Sequence, residues 1–116
     1  MPTERRREKI ENLLREELSR ILDRAIEFPD ATLVTVTRVS MSSDGHYANA
    51  YVSILGNKPA AALEILKKNI YHIQKTVNRR IQIRPVPKLT FKIDKDEFLR
   101  EKVERSVTGL KRKGEL

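Results

Sequence analysis

The apolar residues of this chain switch repeatedly between a three-four spacing and strict alternation, and the order of those switches leaves few folds open. Ile10, Leu13, Leu14, Leu18, Ile21, Leu22, Ala25 and Ile26 recur every third or fourth position. They predict one helix of about four to five turns with a single apolar stripe, stopped by Pro29. The period then drops to two. Leu33-Val34-Thr35-Val36-Thr37-Arg38-Val39-Ser40-Met41 is rich in β-branched residues and reads as a strand. Its apolar positions change phase between Val36 and Val39, a change that a bulge would accommodate. Ser42-Ser43-Asp44-Gly45-His46 supplies turn chemistry, after which Ala48, Ala50, Val52 and Ile54 alternate with Tyr47, Asn49, Tyr51 and Ser53. This predicts a hairpin. Its inward face begins with two alanines, and side chains that small let a helix approach the sheet closely.

Helical spacing returns after Gly56-Asn57-Lys58-Pro59, where a breaker, a polar cap candidate and a proline suited to a first turn mark a helix start. Leu63, Leu66, Ile70, Ile73 and Val77 form its buried seam, and weaker propensity near Asn69-Ile70-Tyr71 allows a split into two helices. Arg84-Pro85-Val86-Pro87 forces an extended passage into a third strand, in which Leu89, Phe91 and Ile93 alternate with Lys88, Thr90 and Lys92. Asp94 then has the look of an N-cap, and Phe98, Leu99, Val103 and Val107 form a weaker terminal stripe. The expected class is α+β: helix, strand, strand, helix pair, strand and a C-terminal helix, with the helices on one face of a three-stranded sheet. Its 116 residues and 39% hydrophobic content suffice for one modest core, so residues 1–108 are expected to form a single domain and 109–116 a flexible basic tail.

Charge narrows the choice of partner. Residues 1–30 hold seven basic and eight acidic side chains, residues 31–66 two of each, and residues 93–116 seven and six. These blocks cancel, so the formal charge of +8 lies wholly in residues 67–92, which contain no acid. Lys68, His72, Lys75 and Arg79 each follow a seam residue by two positions, or roughly 200° around a helix, which puts them opposite the core. A surface charged only for solubility normally mixes signs. The one-sided pattern predicts RNA binding, with Lys67, Lys68, Lys75, Arg79, Arg80, Arg84 and Lys88 on phosphates and Asn69, Tyr71 and His72 on bases or sugars. Arg5, Arg6 and Arg7 form an auxiliary cluster diluted by Glu4 and Glu8.

Other chemistries find little support. Cysteine is absent, which removes disulfides, thiolate nucleophiles and Cys-ligated zinc, and a reducing cytoplasm is the expected compartment. No apolar h-region follows the charged N-terminus, and no stretch reaches membrane-spanning length. No glycine-rich phosphate loop occurs. Asp94, Asp96 and Glu97 beside Lys92 and Lys95 are the best candidates for a metal-dependent nuclease, but Asp94 followed three residues later by Glu97 is the pattern of a helix cap. No enzyme, metal or cofactor is therefore expected. The competing reading is a protein-interaction module that uses Tyr47 and Tyr51 on the sheet's other face.

The order helix-strand-strand-helix-helix-strand is that of type II K-homology RNA-binding domains. Five stretches resemble the ribosome-binding factor A family more closely. They are the Arg-rich helix before Phe28-Pro29-Asp30, Val34-Thr35-Val36-Thr37-Arg38-Val39 with Ser42-Ser43-Asp44, Ala48-Asn49-Ala50-Tyr51-Val52-Ser53, Arg80-Ile81-Gln82-Ile83-Arg84, and Pro87-Lys88-Leu89-Thr90-Phe91-Lys92-Ile93-Asp94. The resemblance covers roughly residues 5–107. It implies an assembly factor that binds the free small (30S) ribosomal subunit and its 16S rRNA during late maturation and rRNA processing. It further implies a monomer, no membrane association, and other assembly factors, including a GTPase, as partners. The family lacks the Gly-x-x-Gly loop of ordinary K-homology domains, and no glycine lies here between Gly56 and Gly109. Members commonly place Ala-x-Gly at the break in the helix pair, where this chain has Asn69-Ile70-Tyr71.

Overall fold

The structure, a computed structural model, describes residues 4–95. Its elements are α1 (Glu4–Ala25), β1 (Leu33–Met41), β2 (Tyr47–Leu55), α2 (Pro59–Lys68), α3 (Ile70–Arg80) and β3 (Lys88–Ile93), in the predicted order. The helix expected over Phe98 to Val107 and the tail 109–116 lie outside the described residues. The first helix begins earlier than its apolar stripe, at Glu4, and takes Arg5, Arg6 and Arg7 into its opening turns. Lys58, rather than Asn57, stands at the N-cap of α2, with no side-chain cap, while Pro59 occupies the first turn.

Burial follows the two periods. Leu14, Leu18, Ile21 and Leu22 of α1 close onto Val34, Val36, Val39 and Met41 of β1, and Leu66, Ile73 and Val77 of the helix pair join Val52, Leu89 and Phe91 in the same core. All inward side chains of the sheet enter one layer, so the helices occupy a single face. Ala48 and Ala50 of β2 and Ala62 of α2 are buried there, and their small side chains allow the close seating that the alanine pair predicts.

The phase change in β1 is a bulge. Val36 pairs with Val52 and Arg38 with Tyr51, which leaves Thr37 as the extra residue. A strand that kept strict alternation past Val36 would turn Val39 and Met41 to solvent; the additional residue returns both to the core. The sheet order is β1-β2-β3, with β1 antiparallel and β3 parallel to β2. Parallel neighbours need a long crossover, and α2 and α3 provide it.

Helix side chains occupy amides of both outer strands. Glu11 Oε2 accepts from the Met41 amide at 2.7 Å and Gln74 Oε1 from the Leu89 amide at 2.8 Å. Both contacts blunt an edge against pairing with another chain. Where β2 ends, Gly56 has φ 143°, and a Cβ there would lie 2.9 Å from the Ala31 carbonyl oxygen and 3.1 Å from Thr32 Cα. The backbones touch at this point, in a conformation that glycine alone adopts without strain. Gly56→Ala is expected to lower unfolding free energy by about 1–3 kcal/mol in urea titration, with an unchanged helix signal in circular dichroism.

Candidate nucleic-acid interface

The crossover carries the cations. Ile73 and Val77 are fully buried, so Lys75 and Arg79, two positions beyond them, emerge on the exposed side of α3 with His72. Lys67 and Lys68 are exposed in the last turn of α2, and Tyr71, 79% exposed, stands at the start of α3. Lys67, Lys68, Lys75, Arg79 and Lys88 make no ion pair among the described residues. Lys67, Lys68, Arg79 and Arg80 also sit at helix C-termini, where a cation stabilises the helix by about 0.3–1 kcal/mol through the dipole. That benefit leaves the outward charge of Lys67, Lys68 and Arg79 unneutralised.

Three predicted contact residues are engaged locally. Asn69 caps α2 and opens α3 at once: its backbone amide donates to Ile65 and Leu66 carbonyls, and its side-chain Nδ2 donates to the Ile65 carbonyl at 2.8 Å. With φ −97° and ψ 6° it forms the break in the pair without a glycine, its amide satisfying the carbonyls freed by the interruption. Arg80 Nη1 lies 3.8 Å from Glu17 Oε2 of α1, a carboxylate only 12% exposed that also holds Arg20 at 2.9 Å. Arg84 folds back onto its own loop, donating from Nη1 to the Ile81 and Ile83 carbonyls at 3.0 and 2.7 Å. Arg5, Arg6 and Arg7 are not brought into the cluster, because they stand about 15–18 Å along α1 from Glu17 at the helical rise.

Lys88 is placed differently from the helix cations. It alternates with buried Leu89, as Lys92 does with Phe91, and so faces away from the helices. The cations of residues 67–92 therefore occupy two surfaces that meet along the edge of β3, not one ridge. Between them runs an open groove lined by Gln74, Asn78, Arg84, Val86 and Lys88. Sequence reasoning missed Gln74 and Asn78, which carry no charge and sit beside the seam without a distinguishing spacing. Gln74 Nε2 donates to the Pro87 carbonyl and to Asn78 Oδ1, both at 3.0 Å, while its Oε1 takes the Leu89 amide. A single side chain thus pins the start of β3 against α3 and sets the width of the groove.

Asp94, the best metal-ligand candidate, is 5% exposed, and its carboxylate accepts from Thr37 Oγ1 at 2.6 Å and lies 3.7 Å from Arg38 Nε. It secures the bulge of β1 to the end of β3. Asp96 and Glu97, and with them the expected capping pair, lie outside the described residues. Among the described residues no group of three or more His, Cys, Asp or Glu side chains is arranged to hold a metal, and no helix is long and apolar enough to cross a membrane.

Residues 6–108 match the family model described as Ribosome-binding factor A. The chain belongs to that family. Among its relatives, the ribosome-binding factor A of Macrococcus caseolyticus is 33% identical over 109 residues, covering 92% of this chain and 96% of that protein. The ribosome-binding factor A of Moorella thermoacetica is 36% identical over 93 residues, 77% of this chain and 76% of the relative. The crystal structure of ribosome-binding factor A from Thermus thermophilus superposes with a TM-score of 0.67 at 28% identity, covering 75% of this chain and 93% of that one. A homology model of the Thermus thermophilus ribosome-binding factor A, fitted into the cryo-electron-microscopy map of a complex with the 30S subunit, gives 0.65, also at 28% identity, over 74% of this chain and 92% of that one. The K-homology-like α+β architecture read from the order of elements is the one these structures share.

Replacing Gln74 by Ala would strand the Leu89 amide, on a residue 2% exposed, and release the Pro87 carbonyl. The expected cost is about 1–3 kcal/mol in urea, accompanied by faster hydrogen exchange at Leu89.

Proposed function

We propose that this chain is a ribosome assembly factor that binds the 30S subunit through its 16S rRNA during late maturation, with the exposed cations of the helix pair as the principal contact. The observation that supports it is family membership together with a relative fitted in complex with the 30S subunit. The chemistry agrees with that role. Lys67, Lys68, Lys75 and Arg79 project without acidic partners among the described residues, and the groove beside them offers the exposed Asn78 side chain and Lys88 at its strand side. Lysine and arginine on phosphates release counterions, while the exposed Tyr71 ring and His72 are placed to stack on unpaired bases. Asn69, Arg80 and Arg84 contribute through the shape of this surface, being held by their own neighbours. Arg5, Arg6 and Arg7 supply a separate, weaker attraction.

Binding is the whole mechanism in this reading. The protein works as a monomer in the cytoplasm, catalyses no reaction, and stabilises the rRNA conformation that displays its site. It leaves when maturation removes that conformation, because a ligand shifts an equilibrium only by its differential affinity for the two states. Other assembly factors, including a GTPase, act on the same particle.

Reversing charge with Lys75→Glu and Arg79→Glu is expected to abolish co-sedimentation with 30S subunits while lowering the thermal midpoint only by several degrees, the loss of Arg79 from the C-terminus of α3, since both side chains are exposed. Wild-type affinity should fall with salt along a log-log slope of roughly −3 to −5, as about five phosphate contacts require. Retained subunit binding by the double variant would remove the assignment of this surface.

A further inference from the structure

The sheet's other face carries no described helix, and its composition suits a ligand. No residue of the three strands is acidic. The register sets Tyr51 between Arg38 of β1 and Lys92 of β3, and Tyr47 beside Lys88. Arg38 Cζ lies 3.8 Å from the centroid of the Tyr51 ring, and the arginine side chain is still 50% exposed. The guanidinium therefore sits over an aromatic ring while half of the side chain's surface remains open. Tyr47 is 61% exposed, an unusual position for a tyrosine on a flat strand surface with a lysine alongside.

The acids at the borders of this face lie at its ends, with Glu8 lining a cavity beside Arg38 and the others holding groups of the sheet. Asp94 takes Thr37 and faces Arg38, and Glu11 takes the Met41 amide. Asp44 accepts from the Ser42 hydroxyl and the His46 amide, which hold its carboxyl below the usual carboxylate range. The face consequently presents cations, hydroxyls, amides and two aromatic rings. Its one large aliphatic residue more than half exposed, Leu33 at 58%, stands at the far end of β1, so among the described residues this face has no continuous apolar patch of the kind a protein partner favours.

We propose that this open sheet face is a second RNA site, which takes unpaired bases of single-stranded RNA. Tyr47 and the exposed plane of Arg38 stack on bases, and Lys88 and Lys92 hold the phosphates. Tyr47 and Tyr51 are four strand residues apart, about 13 Å, so the two platforms serve different nucleotides of one strand. Asp94 and Tyr51 orient the arginine before any base arrives. The site goes beyond the 30S reading by giving the domain two RNA surfaces, so that one chain holds a structured segment on α3 and a single strand on the sheet.

The test uses the full chain with two probes, a short fluorescent oligouridylate and a blunt RNA hairpin. Tyr47→Ala and Lys92→Glu are each expected to weaken oligouridylate binding about tenfold, whereas Tyr47→Phe, which keeps the ring, retains it. Hairpin affinity should change less than about twofold in these variants, and the Lys75→Glu, Arg79→Glu double variant should show the opposite selectivity. Unchanged oligouridylate affinity in Tyr47→Ala and Lys92→Glu, or no oligouridylate binding by the wild type, overturns the proposal. Weaker 30S binding with unaltered oligouridylate affinity would assign the face to a ribosomal protein and overturn it equally. None of these results touches the helix surface, so the 30S reading stands or falls on its own experiment.

Discussion

Close seating of the helices on β2 is the constraint from which the rest of the structure follows. Ala48 and Ala50 present little more than methyl groups to the core, and Ala62 of α2 is equally small and buried. Larger side chains at these positions would overpack a core already filled by Leu14, Leu18, Leu66, Ile73 and Val77. Because every inward side chain is used on that one side, the alternate residues of the three strands are polar, aromatic or charged, apart from the paired Leu33 and Leu55 at one end. The two faces of the sheet are different environments for this reason.

Polar contacts then position what hydrophobic packing only gathers. Gln74 joins α3 to the start of β3, Glu11 joins α1 to the end of β1, and Asp94 joins the end of β3 to the bulge at Thr37. Each spans two elements, consecutive ones in the cases of Gln74 and Glu11, and each supplies hydrogen bonds that apolar contacts cannot. Gln74 lines the groove beside α3, and Asp94 lies beside the Arg38 guanidinium that sits over Tyr51.

The acid-free segment acquires its meaning from the crossover. Residues 67–92 run from the end of α2 through α3 and nearly all of β3, so a contiguous block of charge in sequence is wrapped around two sides of a small domain. Helical geometry sends Lys75 and Arg79 outward from the buried seam, while strand alternation sends Lys88 and Lys92 away from the helices. One basic run thereby becomes two basic surfaces, neither opposed by an acid on its own elements after Glu64 and before Asp94.

Much of this was legible in the residues alone. Periodicity identified all six described elements, the phase change between Val36 and Val39 located the bulge, and Asn69 marked the break in the helix pair, because these are consequences of local geometry that side-chain spacing records directly. The parallel pairing of β3 with β2, the roles of Gln74 and Asp94, the capture of Arg80 by Glu17 and the folding of Arg84 onto its own carbonyls were decided only in three dimensions. Such contacts join groups far apart in the chain or depend on which way a flexible side chain turns, and a spacing rule contains neither. The sequence by itself thus determined most of the buried residues, Leu13 and Ala25 of the predicted stripe being exposed, and where the excess charge is stored. Tertiary structure decided which of those charges stay free to meet a ligand, since neutralisation depends on distances that exist only after the chain has closed.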